Sequence, residues 1–385
     1  MTPAARAAAA MEVLDACLDG IPAEKALLNW SRGSRFAGSG DRAAVRDLVF
    51  SGLRRRRSAA AIGGAETGRG LVLGLLRQDG VDPDDIFTGE RHAPPVLTHE
   101  ERGAPPEGLP EPIRHDLPDW LWARFGSSLG DRAAEAAQAL RDRAPVMLRV
   151  NRRRASLAEA ISALADEGIA AEPHGQVATA LRVVSGERRL TRSRAYLDGL
   201  VELQDAASQA AVARLPLRDG QSVLDYCAGG GGKALAMADR AALRIDAHDA
   251  DDRRMRDIPA RAARAGVKIN MPDRLVRGRY DLVLVDAPCS GSGTWRRSPD
   301  AKWGLTPERL DELCALQAGI LGEAARMVRP GGLLAYATCS VLEEENGGTV
   351  SRFLASHPGW SRRDEMRLLP GPDWDGFYLA LLGGE

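Results

Sequence analysis

Lysine, cysteine, aromatic residues and long apolar runs are all scarce in this 385-residue chain, and several of these shortages exclude a class of protein. The five cysteines lie far apart and form no C-x-x-C pair, so we expect no disulfide framework and no zinc knuckle, and a reducing, cytoplasmic location fits best. Charged residues interrupt the Ala-rich first twenty positions, which excludes the apolar core of a signal peptide. No run of about 18 apolar residues offers a membrane span.

An excess of charge of one sign is also missing, because 52 Lys and Arg face 53 Asp and Glu. The sequence therefore predicts no strong overall positive field, which argues against indiscriminate coating of nucleic acid. A local basic track is compatible with the same sum, since arginines cluster at 54–57, 149–154, 188–194 and 296–297. The four consecutive arginines of the first cluster fit phosphate contacts and a solvated helix end equally well.

Four patterns follow one another along the chain. Residues 1–88 show helical spacing and predict a small all-α domain, while the proline-rich residues 89–118 predict an extended linker. Residues 119–204 alternate short strands and helices, which predicts a small α+β module. From residue 205 to 385, nearly continuous apolar strands alternate with helices, which is typical of an α/β fold with a doubly wound parallel sheet. Ligands of such sheets bind beyond the carboxyl ends of the strands.

The first strand of this α/β domain, predicted at Ser222–Tyr226, runs into the glycine-rich segment Cys227–Lys233. Four glycines allow a close backbone approach to a ligand and a sharp turn into a helix. Ala234 stands where a Walker loop needs Ser or Thr, so that loop is excluded, but the dinucleotide fingerprint fits, with Asp249 twenty residues further on. The segment predicts a nucleoside-containing ligand and leaves an NAD-dependent dehydrogenase open.

Two cysteines follow two other strands of the same sheet, Cys289 after Asp286 and Cys339 within Thr338–Ser340. Methylation of carbon 5 of a pyrimidine needs such a thiol, because a thiolate added to carbon 6 makes carbon 5 nucleophilic. A carboxylate at N3 of the base favours this addition by holding N3 protonated, and Asp286 is the candidate. Since the thiolate is the reactive form, we expect an electropositive site, with Lys302, Arg296 and Arg297 as contributors.

Together these motifs resemble the RsmB/NOP/NSUN family of S-adenosylmethionine-dependent RNA cytosine-5 methyltransferases, over residues 115–385. The motifs are Asp225–Lys233, Asp286–Thr294, Arg296–Trp303 and Thr338–Ser340. The resemblance implies Cys339 as the nucleophile, Cys289 in product release, and Asp286 beside both donor and base, and Lys302 is a further catalytic candidate. It also implies S-adenosylmethionine as the cofactor, bound by Cys227, Ala228, Gly229, Gly230, Gly231, Gly232, Lys233, Asp249, Asp273 and Asp286. The family loop usually reads Ala-Pro-Gly-Gly-Lys, and two glycines replace Ala-Pro here.

The other domains extend this resemblance. The α+β module resembles the family's RNA-recognition-like extension, and the helical domain resembles the NusB-like domain of the branch that modifies ribosomal RNA. We therefore expect a monomeric, cytoplasmic, metal-free enzyme acting on 16S rRNA, with a tRNA methyltransferase and a catalytically silent RNA-binding or assembly factor as alternatives. The predicted RNA contacts are Arg54, Arg55, Arg56, Arg57, Arg149, Arg152, Arg153, Arg296 and Arg297.

Overall fold

The computed structural model describes residues 1–384. The chain forms two compact units. The first unit comprises Met1–Arg143 together with Trp295–Leu305, and the second comprises Ala144–Thr294 and the residues from Thr306 onward. The short segment that follows the Cys289 motif therefore belongs to the helical unit and not to the sheet that precedes and follows it. No helix within residues 1–384 is both long and apolar enough to cross a membrane.

The elements are numbered in chain order. The helices are α1 (Pro3–Leu18), α2 (Ala23–Gly33), α3 (Ser39–Arg54), α4 (Arg56–Gly63), α5 (Gly68–Gln78), α6 (Glu111–Arg114), α7 (Asp119–Leu129), α8 (Ala133–Ala139), α9 (Leu157–Ala165), α10 (Arg194–Leu197), α11 (Ala206–Arg214), α12 (Gly232–Arg240), α13 (Asp252–Met255), α14 (Ile258–Ala265), α15 (Pro299–Gly304), α16 (Pro307–Ala325) and α17 (Gly347–Ser356). The strands are β1 (Met147–Val150), β2 (Ala170–Pro173), β3 (Ala180–Ser185), β4 (Val201–Leu203), β5 (Ser222–Asp225), β6 (Arg244–Ala247), β7 (Ile269–Asn270), β8 (Tyr280–Asp286), β9 (Val328–Thr338), β10 (Trp360–Leu368) and β11 (Phe377–Gly384).

In the first unit, helices α1–α8 and α15 surround an apolar core. Helix α1 has a capped start, because the Thr2 hydroxyl accepts a hydrogen bond from the Ala5 N–H and Pro3 occupies the first helical position. The structure differs from the predicted linker at 89–118. Leu97 and Leu117 are buried, and Asp116 accepts hydrogen bonds of 2.8 Å from both the N–H and the hydroxyl of Ser58. The proline-rich segment thus packs onto the helices, and α7 and α8 belong to this unit as well.

The α+β module of the second unit is a four-stranded antiparallel sheet in the order β2-β3-β1-β4. All four of its strands lie within residues 119–204, for which the sequence predicted alternating strands and helices. Helix α9 begins with a capping box, in which the hydroxyl of Ser156 accepts from the Glu159 N–H while the Glu159 carboxylate accepts from the Ser156 N–H. Leu148, Leu164 and Leu181 fill its core.

The larger sheet of the second unit has seven strands in the order β10-β11-β9-β8-β5-β6-β7. The neighbouring pairs from β7 to β9 are parallel, as predicted for a Rossmann-like fold. Strands β10 and β11 were not predicted, and they run antiparallel to their neighbours, so the sheet is mixed. Because β5, β8 and β9 are adjacent and parallel, the segments that follow them meet at one edge of the sheet.

Candidate active site

The two predicted cysteines meet at this edge. Cys339 directly follows β9, Cys289 lies three residues beyond β8, and their Sγ atoms are 3.4 Å apart. Both side chains are half-buried. Adjacent parallel strands therefore bring together two thiols that are 50 residues apart in sequence.

The surroundings of the two sulfurs make them chemically different. The pKa of Cys339 is lowered, and the largest cause is its hydrogen bond with the Cys289 thiol. The positive charge of Lys233 and a weak contact from the Thr294 hydroxyl at 3.9 Å lower it further. Burial and the negative charge of Asp286 raise the same pKa but do not outweigh these causes. The same sulfur–sulfur contact, together with burial, raises the pKa of Cys289 well above its ordinary value. Cys339 is thus the sulfur that ionises first.

Lys233 connects the glycine loop to this pair. It lies in the first turn of α12, and its ammonium donates to Asp286 Oδ2 at 2.5 Å. Burial lowers the pKa of Lys233, but attraction to Asp286 and their hydrogen bond outweigh burial, so its pKa is raised. The side chain is therefore a cation held beside the carboxylate that ends β8, with the Phe377 ring 5.1 Å from Nζ.

The glycine loop after β5 has the conformation that its composition predicts. Gly229 and Gly231 adopt φ values of +50° and +78°, which side chains with a Cβ rarely adopt. A Cβ on Gly231 would come within 2.9 Å of Ile258, so the loop is also too close to α14 for a larger residue. The Gly229 N–H donates to Asp249 at 2.9 Å, which places the predicted ribose-binding acid against the loop.

Asp225, the last residue of β5, is a further candidate site residue that was not among those predicted from the sequence. Its side chain is 1% exposed, and neither carboxylate oxygen has a hydrogen-bond partner among residues 1–384. Burial, followed by repulsion from Asp286, raises its pKa to about 7. An acid at a strand end directly before a glycine loop was the available signal. An unpartnered buried carboxylate, a glycine cradle and Asp249 together fit a ligand that carries an ammonium and hydroxyl groups, as S-adenosylmethionine does.

Lys302, Arg54 and Arg296, three further predicted residues, belong to the first unit. All three are buried in the first unit, where the Lys302 ammonium donates to the Arg54 carbonyl oxygen at 3.2 Å and Arg54 Nε donates to the Arg296 carbonyl oxygen at 2.6 Å. Burial lowers the pKa of Lys302 to about 8. Their hydrogen bonds connect segments of the helical unit, and none of their described contacts involves either cysteine.

The remaining predicted RNA contacts divide into two groups. Arg55, Arg56, Arg57 and Arg149 form ion pairs with Asp79, Glu66, Asp119 and Asp239, respectively. Arg149 is 3% exposed, which excludes the predicted contact with a phosphate. In contrast, Arg152, Arg153 and Arg297 are exposed, as is Asp273 in the loop after β7.

Comparison with known proteins gives the family. Residues 212–382 match the model of the 16S rRNA methyltransferase RsmB/F family, and residues 117–188 match its ferredoxin-like domain. The "Ribosomal RNA small subunit methyltransferase B" of Sodalis glossinidius is 34% identical over 329 residues, which are 81% of this chain and 72% of the relative. This chain belongs to the RsmB/F family. The protein of the same name from Serratia proteamaculans is 33% identical over 82% of this chain and 73% of its own length.

Solved structures agree with the fold. PH0851 superposes with a TM-score of 0.77 at 24% identity and covers 99% of both chains. "NSun6 from Pyrococcus horikoshii with SFG" superposes with a TM-score of 0.60 at 17% identity over 70% of this chain and 98% of that one. As a member of the RsmB/F family, the chain is an S-adenosylmethionine-dependent RNA methyltransferase, which confirms the predicted enzyme class and cofactor.

Proposed function

We propose that this enzyme methylates carbon 5 of a cytosine in 16S rRNA, with Cys339 as the nucleophile. The observation that carries the proposal is the pair of sulfurs 3.4 Å apart at the strand edge that also holds the Lys233–Asp286 ion pair. Methylation of a base nitrogen needs no thiol, because the nitrogen is itself a nucleophile. Methylation of carbon 5 needs an enzyme nucleophile that forms a covalent bond to carbon 6 and later leaves. The names of the curated relatives support rRNA of the small subunit as the substrate.

In the proposed reaction, the Cys339 thiolate forms a bond to carbon 6, and the electrons of the 5,6 double bond shift towards carbon 5. Asp286 favours this step by holding N3 of the base protonated. Bound S-adenosylmethionine supplies an electrophilic methyl group that carbon 5 can attack. A base then takes the carbon-5 proton, the electrons of that C–H bond restore the 5,6 double bond, and sulfur leaves carbon 6 with the electrons of their bond, which returns Cys339 as a thiolate.

The two sulfurs have complementary roles in this sequence. When Cys339 is ionised, the Cys289 thiol is the donor of the contact between the two sulfurs, so it stabilises the thiolate that adds and, at the end, the thiolate that leaves. Removal of Cys289 should therefore slow the last step and leave RNA attached to Cys339. Cys289 would thus assist product release by stabilising the departing thiolate of Cys339.

The residues that we propose for the cofactor surround the glycine loop. Residues 227–233 and Asp225 would hold the methionine part, and Asp249 the ribose, with Asp273 predicted at the adenine. Lys233 has a double role, since it holds Asp286 in place and lowers the pKa of Cys339. The predicted monomeric, metal-free state and cytoplasmic location complete the proposal.

The test is transfer of a labelled methyl group to 16S rRNA, naked and in small subunits, with tRNA as a parallel substrate and nucleoside mass spectrometry as the readout. Cys339→Ala should abolish formation of 5-methylcytidine, and Cys289→Ala should accumulate a covalent complex that resists denaturing gel electrophoresis. Cys314→Ala, a half-buried cysteine on α16, is the matched control. Normal transfer by the Cys339 variant would refute the assignment, and methylation of tRNA alone would replace the substrate.

A further inference from the structure

Glu345 is a buried carboxylate that joins the two segments carrying the cysteines. Its side chain has no solvent exposure. Oε1 accepts hydrogen bonds from the Ser290 N–H at 2.7 Å and from Gln317 Nε2 at 2.9 Å, while Oε2 accepts from the hydroxyls of Ser290 and Ser340, each at 2.5 Å. Four donors thus fill the acceptor positions of one carboxylate.

These donors come from the immediate neighbours of both sulfurs. Ser290 follows Cys289 in the chain and Ser340 follows Cys339, so one side chain fixes the residue next to each thiol. Gln317 of α16 extends the same network, because its Nε2 also donates to the Pro288 carbonyl oxygen at 3.0 Å. The segment after β8 is therefore held from both sides of Cys289.

A second set of contacts confines the same two segments. The hydroxyls of Ser292 and Ser340 are 2.8 Å apart, and the Val341 N–H donates to the Ser292 hydroxyl at 2.9 Å. Glu345 makes no hydrogen bond to a sulfur atom, although its negative charge is one of the causes that raise the pKa of Cys289, and among residues 1–384 no ion pair involves it. A buried carboxylate without a cation is costly to fold, and apolar packing would close the same space at lower cost.

We propose that Glu345 is a positioning residue that holds the sulfurs of Cys289 and Cys339 at the separation that covalent catalysis needs. The inference rests on the proposed function, since it concerns the two thiols of that reaction. Its physical basis is that a hydrogen bond between thiols weakens steeply with distance, and that a misplacement of about 1 Å can reduce a catalysed rate about a hundredfold.

The test compares Glu345→Ala, which loses all four hydrogen bonds, with Glu345→Gln, which keeps the shape of the side chain. Glu343→Gln is the matched control, because it makes the same change two residues away, where the carboxylate pairs with Arg367 at the surface. Thermal unfolding of each purified variant establishes that it is folded. Methyl transfer to 16S rRNA is then measured as kcat and as KM for RNA and for S-adenosylmethionine.

A second readout measures the distance between the sulfurs without any methyl transfer. Diamide, a diazene oxidant, takes two protons and two electrons from a close pair of thiols, is itself reduced to the hydrazine, and leaves a disulfide bond between the two sulfurs. We expect Glu345→Ala to slow formation of the Cys289–Cys339 disulfide and to lower kcat, each by about a hundredfold, with both KM values unchanged. Glu345→Gln should fall between this variant and the wild type, and Glu343→Gln should match the wild type.

A folded Glu345→Ala variant with wild-type kcat and wild-type cross-linking would overturn the inference. If that variant does not fold, Glu345→Gln decides by the same two measurements, and wild-type values for both would overturn it equally. If the wild type makes no 5-methylcytidine, the proposed function fails, but the cross-linking rates still establish or refute the role of Glu345. The two hypotheses can therefore fail separately.

Discussion

Replacement of Asp225 by Asn should stabilise the free enzyme, by an amount that grows with pH. The carboxyl group ends β5, is almost completely buried and has no hydrogen-bond partner for either oxygen among the described residues. Burial and repulsion from Asp286 raise its pKa from 3.8 to about 7, so ionisation at neutral pH disfavours the folded state. Asn occupies the same volume without a charge.

The size of the effect follows from the two pKa values. Below pH 3.8 the acid is protonated in both the folded and the unfolded state, and the substitution removes no penalty. Between 3.8 and about 7 the unfolded chain ionises while the folded protein keeps its proton, so the penalty increases with pH. Above pH 7 it is complete and amounts to about 4 kcal/mol, since each pKa unit corresponds to about 1.4 kcal/mol.

The assay is urea unfolding of wild type and Asp225→Asn without cofactor, at several pH values from 5 to 8, followed by circular dichroism. The gain from Asn in the free energy of unfolding should rise from about 1.5 kcal/mol at pH 5 to about 4 kcal/mol at pH 8. Asp257→Asn, at an exposed position, should show no such rise. A gain that does not change with pH would refute the reasoning. Titration calorimetry should show weaker binding of S-adenosylmethionine to Asp225→Asn, because the cofactor ammonium loses a carboxylate.

Three further substitutions test the site and its support. Lys233→Gln should raise the pKa of Cys339, because a nearby positive charge is lost, and the pH midpoint for alkylation of Cys339 by iodoacetamide should move upwards. Gly231→Ala should cost about 1–2 kcal/mol in urea unfolding and weaken cofactor binding, because φ is +78° at that position. Arg149→Met should cost about 3–5 kcal/mol by leaving Asp239 buried and unpaired, whereas the same change at the exposed Arg152 should cost little.

The catalytic edge could be predicted because it depends on short-range rules. Apolar runs gave β5, β8 and β9 within a few residues, and parallel strands place their carboxyl ends at one edge. Cys289, Cys339 and the glycine loop each follow one of these strands, so their proximity needed only the strand order. The positive φ angles of Gly229 and Gly231 were predictable for the same reason.

The surroundings of Lys302 and Arg296 could not be predicted because the sequence does not show where the chain leaves a domain. Residues 295–305 follow a catalytic motif by only a few positions, yet they pack into the helical unit. Trp295 is 1% exposed and stacks on Phe125 with the ring centroids 6.0 Å apart, which is a tertiary contact that no local pattern encodes. Closeness to a motif in sequence therefore does not show that a cation contacts the cysteines. The cation that the structure places beside them is Lys233.

Glu345 was missed for a related reason. In sequence it is the last of three consecutive glutamates, Glu343–Glu345, and such a run usually marks a solvated surface. The structure buries only the last of them completely and surrounds it with four donors from three segments. Which acid of a run is buried depends on the orientation of the chain after β9, and hydrophobic periodicity carries no information about that orientation.

Ion pairs within the fold bear on how many of the chain's cations are available to bind RNA. Some of the arginines that cluster in sequence are matched by carboxylates in the fold, as Arg55 is by Asp79 and Arg149 by Asp239. Each such pair removes a cation from the set available for phosphates, while it stabilises a helix end or a domain core. Exposed arginines remain for phosphate contacts, among them Arg152, Arg153 and the four arginines of residues 188–194. Since phosphate contacts carry no sequence information, these arginines can position the RNA but cannot select the target base.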